Sequence, residues 1–278
     1  MKHISRIFLL AVALTAAVSC STARKFPTAT QDGKVAVVAH RGFWKSEAGG
    51  NSQNSIASLK AAQDNGFWGS ECDVHITADD ILIVNHDPSI GGKAIATHNY
   101  ADFAGDLLPN GEKRPTLDEY LVQAAKCSTT KLVIELKPQP KQAREDVLVK
   151  KVLATLKEHH MYDPSKVLFI SFSLHISELI AKECPEFTNQ YLSENIIKDE
   201  DPANYAAKGI NGVDYYYKMF MLHPKWIESA TKNNMSTNAW TVNSSKDIQA
   251  MIDLGIGAIT TNEPLLAREL LGDKELKN

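Results

Sequence analysis

The sequence predicts an α/β fold in which eight parallel strands close into a TIM-type (β/α)8 barrel, with a small insertion after the second strand. Three observations lead there. From residue 35 onward, short apolar runs alternate with longer amphipathic ones. Eight such strand–helix pairs fit into roughly 240 residues, the size of a closed barrel. No Gly-x-Gly-x-x-Gly follows the first strand, where an open dinucleotide-binding sheet would carry one. The composition agrees: 278 residues, 44% hydrophobic and 23% charged, exclude a disordered chain or a fibre. With 30 basic and 33 acidic residues, net charge −3, nothing marks a nucleic-acid partner. Four cysteines are too few for a disulfide scaffold.

The first element is an address. Lys2 and Arg6 precede an apolar run over 7–18. That run is shorter than the ~20 residues needed to span a bilayer, so it reads as a secretion signal. Its end, Ala17-Val18-Ser19-Cys20, resembles a bacterial lipobox. The expectation is therefore a lipoprotein signal over 1–19 and an acylated Cys20. The polar tether over 20–34 would then hold the protein to a membrane in the periplasm or cell envelope. Ordinary cleavage to a soluble secreted form is the alternative. Loss of Lys2 and Arg6 leaves 28 basic and 33 acidic residues, net −5. Cys72, Cys127 and Cys184 remain, an odd number, so at least one is unpaired.

The barrel is expected over 35–272. Candidate strands are 35–40, 69–76, 131–136, 167–172, 188–192, 212–216, 236–242 and 257–261. Helical patterns follow at 51–65, 116–126, 142–159, 173–182, 202–208, 224–233, 244–254 and 263–271. Asn243-Ser244-Ser245 supplies a start cap, and Pro224 suits a first turn. Gly66, Gly209 and Gly255 fall where helices stop. The second strand departs from the repeat: it turns at Ala78-Asp79-Asp80 into residues 82–85 as a hairpin. Residues 87–115, rich in Pro, Gly and Asn, form the insertion.

Active sites of such barrels sit at the C-terminal ends of the strands. Those ends carry His40-Arg41-Gly42, Glu71-Cys72-Asp73, His86-Asp87, Glu135-Leu136-Lys137 and Trp240-Thr241-Val242-Asn243. Strand alternation puts Glu71 and Asp73 on one face and Cys72 on the other, where it packs as a small hydrophobe. Glu135 and Lys137 share a face by the same rule. A two-residue loop at Asp79-Asp80 would set Asp73 opposite His86, with Cβ atoms roughly 5 Å apart; a three-residue loop would reverse the parity. Three carboxylates at one rim repel unless a cation joins them. All-oxygen ligands suit Mg²⁺ or Ca²⁺ rather than Zn²⁺. A hard cation beside Arg41 and Lys137 makes a site for an anionic oxygen substrate, most naturally a phosphate. His40 and His86 can then serve as general base and general acid, and Trp240 as core at one end and site wall at the other. His75 shares the face of Asp73. Each residue alone has a structural explanation; their joint placement at strand ends is the signal.

These residues resemble one family. His40-Arg41-Gly42, Asn54-Ser55, Glu71-x-Asp73, Thr77-x-Asp79 and His86-Asp87 occur in the order seen in glycerophosphodiester phosphodiesterases. So do Glu135-Leu136-Lys137, Ser171-Phe172, Trp240-Thr241-Val242-Asn243 and Thr260-Thr261-Asn262-Glu263-Pro264. The resemblance implies metal-dependent cleavage of glycerophosphodiesters to an alcohol and glycerol 3-phosphate. It implies Glu71, Asp73 and Glu135 as metal ligands and His40 and His86 as the acid–base pair. Arg41 would hold the phosphate, Lys137 would neutralise charge beside it, and the insertion would cap the glycerol end. Departures are Gln53 where the family carries Glu, Asp80 at a turn glycine and Asn262 where Asp is common. A related phosphodiesterase of lysophospholipids or phosphoinositides is the alternative, and it would need a wide apolar rim on the insertion. A non-catalytic binding lipoprotein would not need the histidines and carboxylates.

Overall fold

The computed structural model describes residues 34–198 and 200–272. The leader, Cys20 and the tether up to residue 33 lie outside the described residues. In chain order the elements begin with β1 (Ala36–Ala39), α1 (Ile56–Asp64), β2 (Gly69–Ile76) and β3 (Leu82–Val84). Then come β4 (Ser89–Ile90), β5 (Lys93–Ala94), α2 (Leu117–Ala124), β6 (Lys131–Leu136) and α3 (Gln142–Glu158). Next are β7 (Val167–Ser171), α4 (Leu174–Glu183), β8 (Asn189–Ser193), α5 (Ala203–Ala206) and β9 (Gly212–Tyr216). The chain continues with α6 (Tyr217–Leu222), α7 (Lys225–Lys232), β10 (Ser236–Trp240), α8 (Ser245–Asp253), β11 (Ala258–Thr261) and α9 (Pro264–Leu270).

Eight strands pair in parallel in the order β1-β11-β10-β9-β8-β7-β6-β2, and β1 pairs with β2 to close the barrel. Closure is short: only Val38–Gly69 and Ala39–Ser70 are in register. Above them the same edge of β2 is taken by antiparallel β3. The barrel mouth therefore opens between β1 and β2, under the insertion.

Side-chain alternation sorts the core into two layers. Val38, Val133, Leu168, Ile170 and Leu192 fill the barrel interior. Cys72, Val74 and Ile76 point outward and pack with Leu121, Leu148 and Val152 of the surrounding helices. Each such aliphatic side chain contributes ~1.5–3 kcal/mol when fully buried. Cys72, Cys127 and Cys184 are all free thiols.

Three local results differ from the sequence expectations. The hairpin closes with Ile76 opposite Leu82 and Val74 opposite Val84, so Asp73 faces Asn85 rather than His86. The loop has three residues, with Asp80 at φ +63° at its end. The first helix starts at Ile56, not 51, because Ser55 is its cap: Ser58 N donates to Ser55 Oγ at 2.9 Å. Asn51 and Asn54 before it adopt positive φ, which a helix excludes. An extra helix, α6, follows β9 directly; its Met219 and Phe220 are buried in the outer layer. The insertion builds a small core of its own from Ile90, Ile95 and Phe103 against Ile83.

Candidate active site

The register of β2 and β6 brings Asp73 beside Glu135, with Glu71 one inward position below. One oxygen from each of Glu71, Asp73 and Glu135 lies within 4.8 Å of the others, and all three residues are buried. Some oxygens have partners. Arg41 N donates to Glu71 Oε2 at 2.7 Å, and Asn54 Nδ2 to Asp73 Oδ2 at 2.7 Å. Lys137 Nζ lies 2.8 Å from Asp73 Oδ1 and 2.8 Å from Glu135 Oε1. Lys137 thus bridges Asp73 and Glu135, while Glu71 Oε1 is buried without a hydrogen bond. Three buried carboxylates that converge within 4.8 Å around a single ammonium fit a hard divalent cation.

The charges are strained accordingly. Burial, with Asp73 and Glu135 close by, pushes Glu71 well above the usual carboxylate range. Burial, reinforced by Asp73, takes Glu135 up to about 8 despite Lys137. Burial also opposes ionisation of Asp73, but Lys137, His86 and Arg41 outweigh it and hold that carboxyl well below its ordinary value.

Arg41 sits at φ +57° in the turn after β1, and Gly42 follows at φ +80°. A Cβ on Gly42 would stand 2.4 Å from Ser58 Oγ, so only glycine lets this turn lie on the start of α1. The Arg41 side chain reaches back over the acids: Nη1 donates to Gln53 Oε1 at 2.6 Å, and Nε is 3.7 Å from Asp73 Oδ2. Gln53 thus aims Arg41 with a neutral acceptor and leaves its positive charge uncompensated on that side.

The two histidines are held differently. His40 Nδ1 is 2.9 Å from Asn262 Oδ1, and Trp44 Nε1 donates to the same oxygen at 3.2 Å. An indole N–H only donates, so this Asn262 atom is an acceptor and His40 Nδ1 carries the hydrogen. The His40 Nε2 lone pair is left for the site. Burial and the adjacent Arg41 lower His40 to about 4. His86 pairs through Nδ1 with Asp87 Oδ1 at 2.7 Å. Burial and Lys137 lower its pKa, while Asp73 and Asp87 resist. His75 Nε2 donates to the His86 carbonyl at 3.2 Å and fixes the backbone that carries the ring.

His40, Arg41, Glu71, His86, Glu135, Lys137 and Trp240 line one cavity of about 70 Å³, with Asp73 beneath them. Trp240 Nε1 donates to the Asp214 carbonyl at 3.0 Å, and its ring meets Phe172 edge-on at 5.4 Å. All eight residues singled out in the sequence come together. Sequence reasoning missed Asn54, Trp44 and Asn262 as site-shaping groups, because loops bring them in. It also missed Asp214, which parity could have found: it lies between Val213 and Tyr215, both buried in the outer layer. Its carboxyl is buried beside Asn238, and burial and Glu135 push it far upward.

The glycerophosphoryl diester phosphodiesterase family model matches residues 40–266. A glycerophosphodiester phosphodiesterase of Caldanaerobacter subterraneus is 24% identical over 243 residues, 83% of this chain and 95% of that protein. A crystal structure of a glycerophosphodiester phosphodiesterase from Parabacteroides distasonis superposes with a TM-score of 0.81 at 35% identity, covering 87% of this chain and 98% of that one. A phosphodiesterase of Oleispira antarctica, solved with the product sn-glycerol 3-phosphate, shares the fold at 20% identity and a TM-score of 0.73, covering 85% of this chain and 96% of that one.

Proposed function

This chain belongs to the glycerophosphoryl diester phosphodiesterase family and is a phosphoric diester hydrolase, and we propose that it cleaves glycerophosphodiesters to an alcohol and glycerol 3-phosphate with Mg²⁺ or Ca²⁺ at its acidic cluster. The observation that carries the reading is the convergence of Glu71, Asp73 and Glu135 within 4.8 Å, set beside two cations and two imidazoles. A divalent ion held by those three acids would neutralise phosphate charge and acidify a hydroxyl.

The chain's own groups do the rest. Arg41 and Lys137 hold the non-bridging phosphate oxygens and meet the charge that grows on them. His40, neutral and with its Nε2 lone pair facing the site, takes the proton from the attacking hydroxyl, whether of water or of the glycerol moiety. His86, whose Nδ1 is held by the Asp87 carboxylate, is the second acid–base group; in its protonated form its Nε2–H protonates the leaving alkoxide. Asn262 and Trp44 keep His40 in the tautomer that can act as base. Trp240 walls the side of the cavity opposite the insertion.

Release of glycerol 3-phosphate from glycerophosphocholine tests the reading. Excess chelator should abolish it, and Mg²⁺ or Ca²⁺ should restore it. Full activity in chelator would refute the metal assignment; no release from glycerophosphocholine, glycerophosphoethanolamine or glycerophosphoinositol would refute the activity. Export and anchoring through Cys20 are part of the same proposal. Their support is the basic, apolar and lipobox-like leader. An intact mass showing an unmodified mature N-terminus other than Cys20 would remove the anchor.

A further inference from the structure

The insertion and the loop after β1 enclose a second cavity of about 480 Å³ that opens onto Arg41 and His86. That volume lies within the ~300–1,000 Å³ span of small-molecule sites. Its wall carries amides from Asn51, Gln53 and Asn85, a hydroxyl from Ser89 and apolar patches from Ile90 and Leu108, and its one carboxylate, Asp87, is held by the His86 ring. Arg114 stands on the same wall, on the segment leading from the insertion into α2.

Arg114 is a half-buried guanidinium without a carboxylate partner. Its Nη1 donates to Asn85 Oδ1 at 2.7 Å. Its Nε is closed off from solvent and has no acceptor. Asp106 and Asp87 are near enough to favour its charge, yet among the described residues no ion pair to Arg114 forms, and burial pulls its pKa down. Arg144 shows the ordinary alternative: it is as buried, but pairs with Asp80 at 2.7 Å and with the Thr77 carbonyl at 2.8 Å. A partly desolvated cation with no direct ion-pair partner works against the fold. Hydroxyl groups would be served by the amides alone, whereas an anion answers the guanidinium with charge-assisted, two-point hydrogen bonds.

We infer that this cavity is an anion subsite in which Arg114 binds a carboxylate or second phosphate carried by the part of the diester that enters beside His86. This rests on the activity proposed above, because the cavity joins the phosphate site. It makes diesters with an additional anionic group the preferred substrate class.

The test is calorimetric and needs no turnover. 2-Hydroxyethyl phosphate is compared with phosphoglycolate, which replaces its hydroxymethyl by a carboxylate, and with ethane-1,2-diol bisphosphate. All titrations contain Mg²⁺. Wild type should bind at least one of the two ligands with a second anionic group about 10-fold more tightly than 2-hydroxyethyl phosphate, as expected for a charge-assisted bond. The tighter of the two names the anion. Arg114→Gln should lose that preference, and Arg114→Lys should keep part of it. Equal affinities in wild type, or a preference that survives in Arg114→Gln, would overturn the inference. Should Arg114→Gln fail to fold, the wild-type comparison and Arg114→Lys still decide. Retained preference in a protein that cleaves no diester would sink the proposed activity and leave the subsite standing.

Discussion

Stripping the metal should make the protein lose stability as pH rises. Burial takes Glu135 up to about 8 when no cation neutralises it. In the unfolded chain the same group ionises near 4.5. A carboxyl with a raised folded pKa contributes stability that is fully present below the unfolded pKa and disappears as pH climbs through the folded one. Between pH 6.5 and 8 the folded state must give up a proton that the unfolded state has already lost. Each pH unit is worth ~1.36 kcal/mol, so this interval removes on the order of 2 kcal/mol. Glu71, raised for the same reason, acts in the same direction. For a domain of this size, ~1 kcal/mol corresponds to about 2–4 °C, so Tm in excess EDTA should fall by roughly 4–8 °C between pH 6.5 and pH 9. Mg²⁺ or Ca²⁺ should restore Tm, and by more at pH 9 than at pH 6.5. Thermal melts followed by circular dichroism measure both effects, and Glu135→Gln should flatten the slope. A Tm in EDTA that is level or rising across this range would show that the three acids are not destabilising one another, and the electrostatic case for a cation would fail.

Four further outcomes are expected. His40→Ala and His86→Ala should each lower kcat by ~10²–10⁴-fold without lowering Tm; a ring whose removal leaves turnover near normal is no acid–base group. Asn262→Ala should lower kcat by up to about 10-fold with KM little changed, since it releases one hydrogen bond that holds the His40 tautomer; unchanged kcat would refute that positioning role. Gly42→Ala should destabilise by at least ~1–3 kcal/mol in urea unfolding, because φ is +80° and the added Cβ meets Ser58 Oγ at 2.4 Å and its carbonyl carbon at 2.7 Å; a neutral effect would show that the turn is free to move. Asp214→Asn should raise Tm, and more at pH 9 than at pH 5, because burial and Glu135 hold this carboxyl far above its ordinary range; an equal change at both values would mean that it is not the charge that matters.

Strand parity made the centre of the site legible. Glu71, Asp73, Glu135 and Lys137 stand on regular parallel strands whose alternation is rigid, so inward or outward placement follows from position alone. The same rule put Cys72 under the helices, where it is fully buried. Parity left the pairing open where a loop length entered. Asp73 faces Asn85 because three residues, not two, close the hairpin, and His86 reaches the site from beyond the end of β3. Its position depends on Asn85, His75 and Asp87 holding that exit segment. Asn262 and Trp44 are 218 residues apart and bond to each other only because the barrel closes β1 against β11. No local pattern carries that information. Helix α6 was missed for another reason: it starts where β9 stops, without a capping residue or a loop to mark the change.

The insertion shows how buried and exposed apolar residues lead to different substrates. In the sequence its Ile90, Ile95, Tyr100, Phe103, Leu107 and Leu108 are scattered, compatible with either a rim or a core. In the fold, Ile90, Ile95 and Phe103 turn inward against Ile83, and Leu108 is buried as well. Leu107 stays more than half exposed, too small a patch for a lipid chain. The cavity beside His86 is lined by amides, the Ser89 hydroxyl, Asp87 and Arg114, with Ile90 and Leu108 at its edge. The strongly exposed apolar residues Ile197 and Leu222 belong to the segments after β8 and β9, across the barrel from the insertion. An acyl chain in the cavity beside His86 would therefore desolvate amides and a guanidinium without pairing them, at a cost of ~1–3 kcal/mol for each group. A short, hydroxylated, anionic moiety would pair them.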